Sequence, residues 1–172
     1  MDSRKIHKRA SYLGDAVFAA SDGMITTFAV VAGAIGASLP DSVILILGFA
    51  NLFADGFSMA AGNYLGNKSA TEYERARGDR EDNGSPIIHG LITFSSFNFA
   101  GLLPLLPFVI KLQPKFGFSA LIVGISLFVV GILRSQYTKK SWLTTGIETL
   151  VVGGFATFVA YTVGFLLDKY VV

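Results

Sequence analysis

The sequence contains no cysteine, which excludes disulfide bridges, thiolate zinc sites and cysteine nucleophiles. Charge is also scarce, because charged residues make up 15% of the chain, against roughly 25% in soluble globular domains. So little charge cannot give a domain a solvated surface, and this excludes an ordinary cytosolic enzyme. The net charge is only +2 and the basic residues are scattered, so we expect no nucleic-acid partner.

Hydrophobic residues take the place of charge: they form 52% of the 172 residues, and the mean hydropathy is +0.56. A membrane-spanning helix needs roughly 20 mostly apolar residues. Polar interruptions divide the chain into five such segments, at about 16–38, 42–66, 87–110, 117–137 and 142–167. A short connection, 67–85, could continue the second helix into the cytoplasm. The sequence predicts an all-α membrane protein with five transmembrane helices, forming a single domain over residues 1–172.

The lysines and arginines are divided unevenly between the two ends of these segments. Four precede the first segment, four lie from residue 68 to residue 80, and three lie between the fourth and fifth segments. This alternation places eleven basic residues on one side of the membrane and three on the other. Because cytoplasmic loops carry the excess of positive charge, we expect a cytoplasmic N-terminus and an external C-terminus.

Acidic residues inside the apolar segments are the main functional signal. A charged side chain there costs roughly 2.5–3.5 kcal/mol on insertion scales, so such acids usually mark an ion path or a proton relay. In the first segment, Asp15, Asp22 and Thr26 recur at helical spacing along one face. The second segment has a similar face, which carries Asn51, Asp55, Ser58 and Met59.

Stripes of small and polar residues often serve only to pack helices together, and Thr26 and Ser58 can bond to their own backbone. Packing does not require two acids, however, nor a methionine one turn after Asp55. Carboxylate and amide oxygens with one thioether sulfur favour later first-row divalent metals over Mg²⁺ or Ca²⁺. The predicted cargo is therefore a divalent transition metal. Carboxylates that release a metal into apolar surroundings can take up protons in its place.

Three other features have simpler interpretations. His89 lies at the edge of the third segment and is interpreted as an interfacial residue more than as a ligand. Pro104 and Pro107 should weaken or kink the third helix. Glu148 is expected to neutralise a lysine at position 139 or 140 near the cytoplasmic surface.

Three motifs resemble a known family. Residues 21–28 (SDGMITTF), followed by VAG at 31–33, resemble the first-helix signature of the vacuolar iron transporter family. Residues 54–65 (ADGFSMAAGNYL) are similar to its second-helix signature, and residues 101–107 (GLLPLLP) to its third-helix segment. The resemblance covers nearly the whole chain, and the first two motifs are long enough to be fairly specific.

The resemblance implies a homodimer of five-helix protomers, with an ion path between the first and second helices of the two subunits. It implies export of Fe²⁺ or Mn²⁺ from the cytoplasm in exchange for protons, with Co²⁺ and Zn²⁺ as further candidate cargo and no cofactor or enzymatic activity. Asp22 matches the family's membrane-buried aspartate, Met59 its coordinating methionine and Asp15 an acidic position of the first helix. We expect a prokaryotic cytoplasmic membrane rather than a vacuolar one.

The chain also departs from the family pattern. Well-studied members carry a glutamate-rich metal-binding domain between the second and third helices, where this chain has about twenty residues. Ser11 stands where some members have an acid, and Asn63 stands where the second-helix signature often has glutamate, so Asn63 is included in the predicted ion path. A reduced cytoplasmic collection site is predicted from Glu72, Glu74, Glu81 and Asp82. The alternative function is a non-transporting membrane subunit whose polar stripes serve only packing and assembly with a partner.

Overall fold

A computed structural model describes residues 3–78, 84–138 and 140–171, and every regular element in these ranges is helical. A single 3₁₀ turn, Leu103–Leu105, joins the third and fourth helices. The α-helices are α1 (Ser3–Gly36), α2 (Asp41–Ala76), α3 (Pro86–Gly101), α4 (Leu106–Val109), α5 (Lys115–Thr138) and α6 (Trp142–Tyr170).

Five stretches of this helical chain are long and apolar enough to cross a membrane, which confirms the predicted fold class. Two helices extend beyond the predicted apolar segments. The first begins at Ser3 rather than near residue 16, and α2 continues to Ala76. Hydropathy marks only the part of a helix that lies in hydrocarbon, and hence does not detect turns that continue into water. The sides of the membrane on which the two termini lie stay a prediction.

The turn between α1 and α2 is short and well defined. Ser38 has a positive φ of 53°, and the amide of Leu39 donates to the carbonyl of Ala34 at 2.9 Å. These are the features of a Schellman motif, which satisfies carbonyl groups at a helix C-terminus. Pro40 then takes an extended conformation, and Asp41 opens α2. Consequently α1 and α2 run antiparallel from a common end.

The third membrane crossing is interrupted, as the prolines predict. Helix α3 ends at Gly101, a 3₁₀ turn follows, and α4 completes the crossing to Val109. Pro104 has no N–H to donate and its ring conflicts with the preceding helical turn. The carbonyl oxygen of Pro104 accepts a hydrogen bond of 2.7 Å from the buried hydroxyl of Ser119 on α5. This bond fixes the break against the neighbouring helix.

Helix α1 lies at the centre of the bundle and packs against α2, α3, α5 and α6. Its crossings are close because glycines replace side chains at the contacts. A Cβ at Gly23 would overlap the backbone of Phe97 on α3, and one at Gly164 on α6 would overlap the backbone of Gly33. Small residues at such crossings let helix backbones approach within a membrane. Gly23 and Gly33 of α1 thus follow the packing interpretation.

Candidate metal pathway

Asp22 and Asp55 lie at the same level of the bundle, on neighbouring antiparallel helices. Asp22 precedes the end of α1 by fourteen residues, and Asp55 follows the start of α2 by fourteen. At a rise of 1.5 Å per residue, both lie about 21 Å from the shared turn. Both are half-buried, and the two carboxylates lie close enough for their charges to interact. The two acids that the sequence predicts inside the membrane are therefore brought together.

Among the residues that the structure describes, neither carboxylate of this pair is neutralised by a basic partner. Across residues 3–78, 84–138 and 140–171, the carboxylates of Asp22 and Asp55 form no ion pair and no hydrogen bond. Within the same ranges, no group of three or more His, Asp or Glu side chains is arranged to hold a metal. One subunit thus offers a pair of membrane acids, not a complete cage of acidic and imidazole ligands.

The other predicted pathway residues occupy different environments. Met59 is half-buried and packs against the apolar core, while Ser58 is exposed on α2. The hydroxyl of Thr26 donates to the carbonyl oxygen of Asp22 at 2.8 Å, so it satisfies its own helix. Asn51 is half-buried, and its side-chain Nδ2 has no hydrogen-bond partner in the part of the chain that the structure describes. A buried amide without a hydrogen-bond partner lowers the stability of the fold. We therefore expect the Nδ2 of Asn51 to bind a water or a ligand group.

Asn63 has a structural contact that its sequence position did not suggest. Its Nδ2 donates to the hydroxyl oxygen of Thr93 on α3 at 2.6 Å. Its Oδ1 accepts a hydrogen bond of 2.5 Å from Asn67, one turn further along α2. Asn63 therefore connects α2 to α3, whatever role it has in an ion path.

Asp15 faces α3 at the N-terminal end of the bundle. One of its carboxylate oxygens contacts Nδ1 of His89, and the exposed fraction of the His89 side chain is only 1%. The ring of Tyr12 packs on the imidazole with a centroid distance of 4.5 Å. The hydroxyl of Tyr12 accepts a hydrogen bond of 2.9 Å from the backbone amide of Ser85. His89 is hence a buried partner of Asp15 and not an exposed interfacial residue.

Two further predictions concern charged residues near the end of the bundle that is predicted to be cytoplasmic. Among the described residues, Glu148 pairs with Arg134 at 3.6 Å and not with Lys140. Position 139, the other predicted partner, lies outside the described residues. In the predicted collection site, Glu72 is exposed and Glu74 is half-buried on the last turns of α2. Glu81 and Asp82 also lie outside the described residues. Metal collection by this segment stays a prediction.

Sequence reasoning missed the residues of α3 that line the contact with α2. Besides Thr93, Asn98 lies opposite Gly56, where a Cβ on that glycine would meet its amide group. The Asn98 amide donates to the carbonyl oxygen of Phe94 at 2.9 Å. An asparagine in an apolar segment next to a Phe-rich run was a visible signal, because polar groups within membrane helices usually face the bundle interior.

Comparison with known proteins identifies the family. The model of the VIT family matches residues 13–85 and 78–165. Vacuolar iron transporter homolog 4 of Arabidopsis thaliana is 31% identical over 169 residues, which cover 92% of this chain and 84% of that protein. The vacuolar iron transporter of Toxoplasma gondii (strain ATCC 50861 / VEG) is 25% identical over 237 residues, covering 97% of this chain and 78% of that protein. These relatives are named as transporters and not as enzymes.

The relatives also differ in length. The Toxoplasma alignment is longer than this chain of 172 residues, so that relative contains residues that this chain lacks. The Arabidopsis alignment is not longer than the chain. The two parts of the family match meet at residues 78–85, in the connection between α2 and α3, which is consistent with a short form. The chain belongs to the VIT family, the vacuolar iron transporters that its motifs resemble.

Proposed function

We propose that this protein exports Fe²⁺ or Mn²⁺ from the cytoplasm in exchange for protons, and that it acts as a homodimer. The family and the names of the relatives support a metal transporter in a membrane. The observation that carries the more specific proposal is the pair formed by Asp22 and Asp55. Two half-buried acids at one level of two membrane helices, with no described basic partner, favour a site for a cation.

The chemistry of this pair suggests which cation is carried. Carboxylate oxygens attract any divalent ion, while the thioether of Met59, one helical turn after Asp55, adds a softer ligand that Mg²⁺ and Ca²⁺ do not prefer. Fe²⁺ and Mn²⁺ accept such a mixed set, as do Co²⁺ and Zn²⁺. The unpaired Nδ2 of Asn51, one turn before Asp55, is a hydrogen-bond donor and would bind a carboxylate oxygen or an outer water next to the site, not the cation.

A second copy of the chain would complete the coordination. One subunit supplies two membrane carboxylates and one thioether, whereas two subunits with facing α1 and α2 helices supply four carboxylates and two thioethers. A set of six ligands suits first-row divalent ions better than three. Ser58, which is three residues after Asp55 on α2, is exposed, so this side of the helix is available for the contact.

The same carboxylates couple the ion to protons. A divalent cation compensates two negative charges in the apolar interior, so its departure leaves two uncompensated carboxylates. Protonation from the external side removes that cost, because the neutral form of an acid is favoured where water is scarce. Deprotonation toward the cytoplasm then restores the anionic pair for the next ion. In a prokaryote this cycle moves the metal out across the cytoplasmic membrane.

Transport into proteoliposomes tests the proposal. With the cytoplasmic face outward and a proton gradient acidic inside, we expect Fe²⁺ and Mn²⁺ to enter and a luminal pH dye to report proton loss. Asp22→Asn keeps the shape of the side chain but not its charge, and should reduce initial uptake to the background of empty liposomes, because a functional membrane acid is lost. Met59→Leu should reduce selectivity against Mg²⁺.

The matched control is Asp168→Asn, which removes an exposed acid near the end of α6 and should leave uptake unchanged. Uptake by Asp22→Asn at the wild-type rate would contradict the proposed path. Wild-type protein that moves no metal under any proton gradient, yet copurifies with another membrane protein, would support the packing subunit instead.

A further inference from the structure

A long groove runs between α1, α5 and α6, and neither Asp22 nor Asp55 lines it. Its volume is about 970 Å³. Along α1 it is lined from Arg9 to Ile25, and its other walls come from the turns of α5 and α6 that include Val130 and Val152. Phe18 and Val152 line it while being 64% and 57% exposed. The groove therefore opens sideways, toward whatever surrounds the protein.

The dimensions of the groove match one leaflet of a bilayer. Arg9 and Ile25 are sixteen residues apart on a continuous helix, which corresponds to about 24 Å. A bilayer is about 40–45 Å thick with its headgroup regions, so one leaflet is about 20–22 Å. The groove thus extends from the headgroup level to the middle of the membrane.

The deep part of the groove offers hydrocarbon surface. The two hydroxyl groups in its wall are already used by their own helices: Ser21 donates to the carbonyl oxygen of Val17 at 2.8 Å, and Thr149 donates to that of Thr145 at 2.9 Å. The remaining wall there is aliphatic or aromatic, with Leu13 and Phe18 among its members. Water and ions gain little from such a surface, whereas an acyl chain fits it.

The N-terminal end of the groove is basic. Arg9 and Arg134 line it together with one acid, Glu148. Arg134 and Glu148 are separated by 3.6 Å, and their side chains are 42% and 49% exposed. The guanidinium group of Arg134 has five donors, so an oxyanion can bind it beside Glu148. Lys8 and Lys140 bring further positive charge to the same end of the bundle.

We propose that this groove binds a glycerophospholipid with a net negative headgroup, from the leaflet at the N-terminal side. The phosphate lies between Arg9 and Arg134, and an acyl chain follows α1 toward Ile25. Charge complementarity selects the headgroup, because a basic residue near the surface attracts anionic lipid. This site does not depend on metal transport, since it uses neither Asp22 nor Asp55.

Native mass spectrometry of the full chain, without metal, tests the proposal. Purified protein in neutral detergent is offered equal amounts of dioleoylphosphatidylglycerol and dioleoylphosphatidylcholine. We expect the anionic lipid to be retained at least about fivefold better, the factor expected for one net basic residue at the surface. In Arg9→Gln/Arg134→Gln the preference should fall to within about twofold. Lys111→Gln/Lys169→Gln, which removes the same charge at the opposite end, should keep the wild-type preference.

A steric pair of variants tests the groove without changing any charge. A Cβ at Gly14, which lines the groove, or at Gly154, which does not, would meet no atom within 4 Å. Gly14→Phe should fill the groove and lose the retained anionic lipid, whereas Gly154→Phe should keep it. Equal retention of both lipids by the wild type, an equal loss in the lysine control, or wild-type retention by Gly14→Phe would overturn the proposal. The proposal would also be overturned if the Gly14→Phe protein lost its dimeric state but kept the lipid, because the groove would then be filled by a second copy of the chain.

Discussion

At the scale of single residues, the contact of His89 with Asp15 shows how a titratable pair can hold two helices together. The imidazole is almost fully buried between α1 and α3, with the carboxylate on one nitrogen and Tyr12 against its ring. Removing one partner leaves the other in a poorly hydrated place, which costs more than the bond itself contributes. The pair is therefore expected to matter for stability.

His89→Phe tests this directly, because phenylalanine keeps a ring for Tyr12 but offers nothing to Asp15. We expect the free energy of unfolding to fall by about 1–3 kcal/mol, the cost of a buried polar group left without its partner. Thermal unfolding in detergent, followed by circular dichroism, measures the change. His7→Phe alters an exposed histidine on the same side and should change the free energy by no more than about 0.5 kcal/mol. Equal stability of the two variants would contradict a structural role for the pair.

At the scale of helices, the crossing of α1 and α6 depends on the absence of side chains. Gly164 faces the backbone of Gly33 so closely that a Cβ would overlap its carbonyl group. A backbone cannot move aside as a flexible side chain can, so the helices would have to separate. A nearby glycine of α6, Gly154, faces open space instead.

Gly164→Ala and Gly154→Ala therefore make a matched pair on one helix. Alanine is favoured over glycine in a helix interior by about 1 kcal/mol, so Gly154→Ala should be neutral or slightly stabilising. Gly164→Ala should instead destabilise by about 1–3 kcal/mol, as overpacking does elsewhere. Comparison of the two melting temperatures in detergent measures the difference. A melting temperature for Gly164→Ala at or above that of Gly154→Ala would show that the crossing is looser than described.

The helices illustrate what a sequence can and cannot predict. Hydropathy predicts five crossings because each apolar segment must hydrogen-bond its own backbone in lipid, and Pro104 predicts the break near α4 because its ring is incompatible with a helix interior. The positions of Asp22 and Asp55 inside two apolar segments predict membrane acids on two helices. By contrast, the pairing of Asp15 with His89 joins residues 74 positions apart. Periodicity describes the face of one helix and does not say which helix lies opposite.

At the scale of the whole molecule, one subunit leaves a large apolar surface on α2. This helix packs mainly against α1 and α3, and its buried positions Ile44, Gly48, Leu52 and Gly56 form a single stripe at four-residue spacing. Phe53 and Phe57, on the other side, are 62% and 69% exposed. Lipid can cover this surface, because Phe53 and Phe57 lie two residues from Asp55 and therefore on the opposite side of α2. A second subunit on the side of Asp55 and Ser58 would instead bring two acid pairs together. The proposed dimer therefore rests on the acid pairs and not on the apolar surface of α2.

Cross-linking distinguishes lipid from a second subunit as the neighbour of α2. Because the sequence contains no cysteine, an introduced thiol can react only with its own copy in another subunit. Ser58→Cys places a thiol on the exposed side of α2, three residues after Asp55, and Gly154→Cys places one on the exposed side of α6. If α1 and α2 line the interface, mild oxidation in membranes should convert most of the Ser58→Cys protein to a covalent dimer, because its thiols lie near the two-fold axis. The Gly154→Cys protein should stay monomeric on a denaturing gel. Dimers formed through Gly154→Cys but not through Ser58→Cys would place the interface on α6 and separate the two acid pairs, leaving each subunit to bind its ion alone.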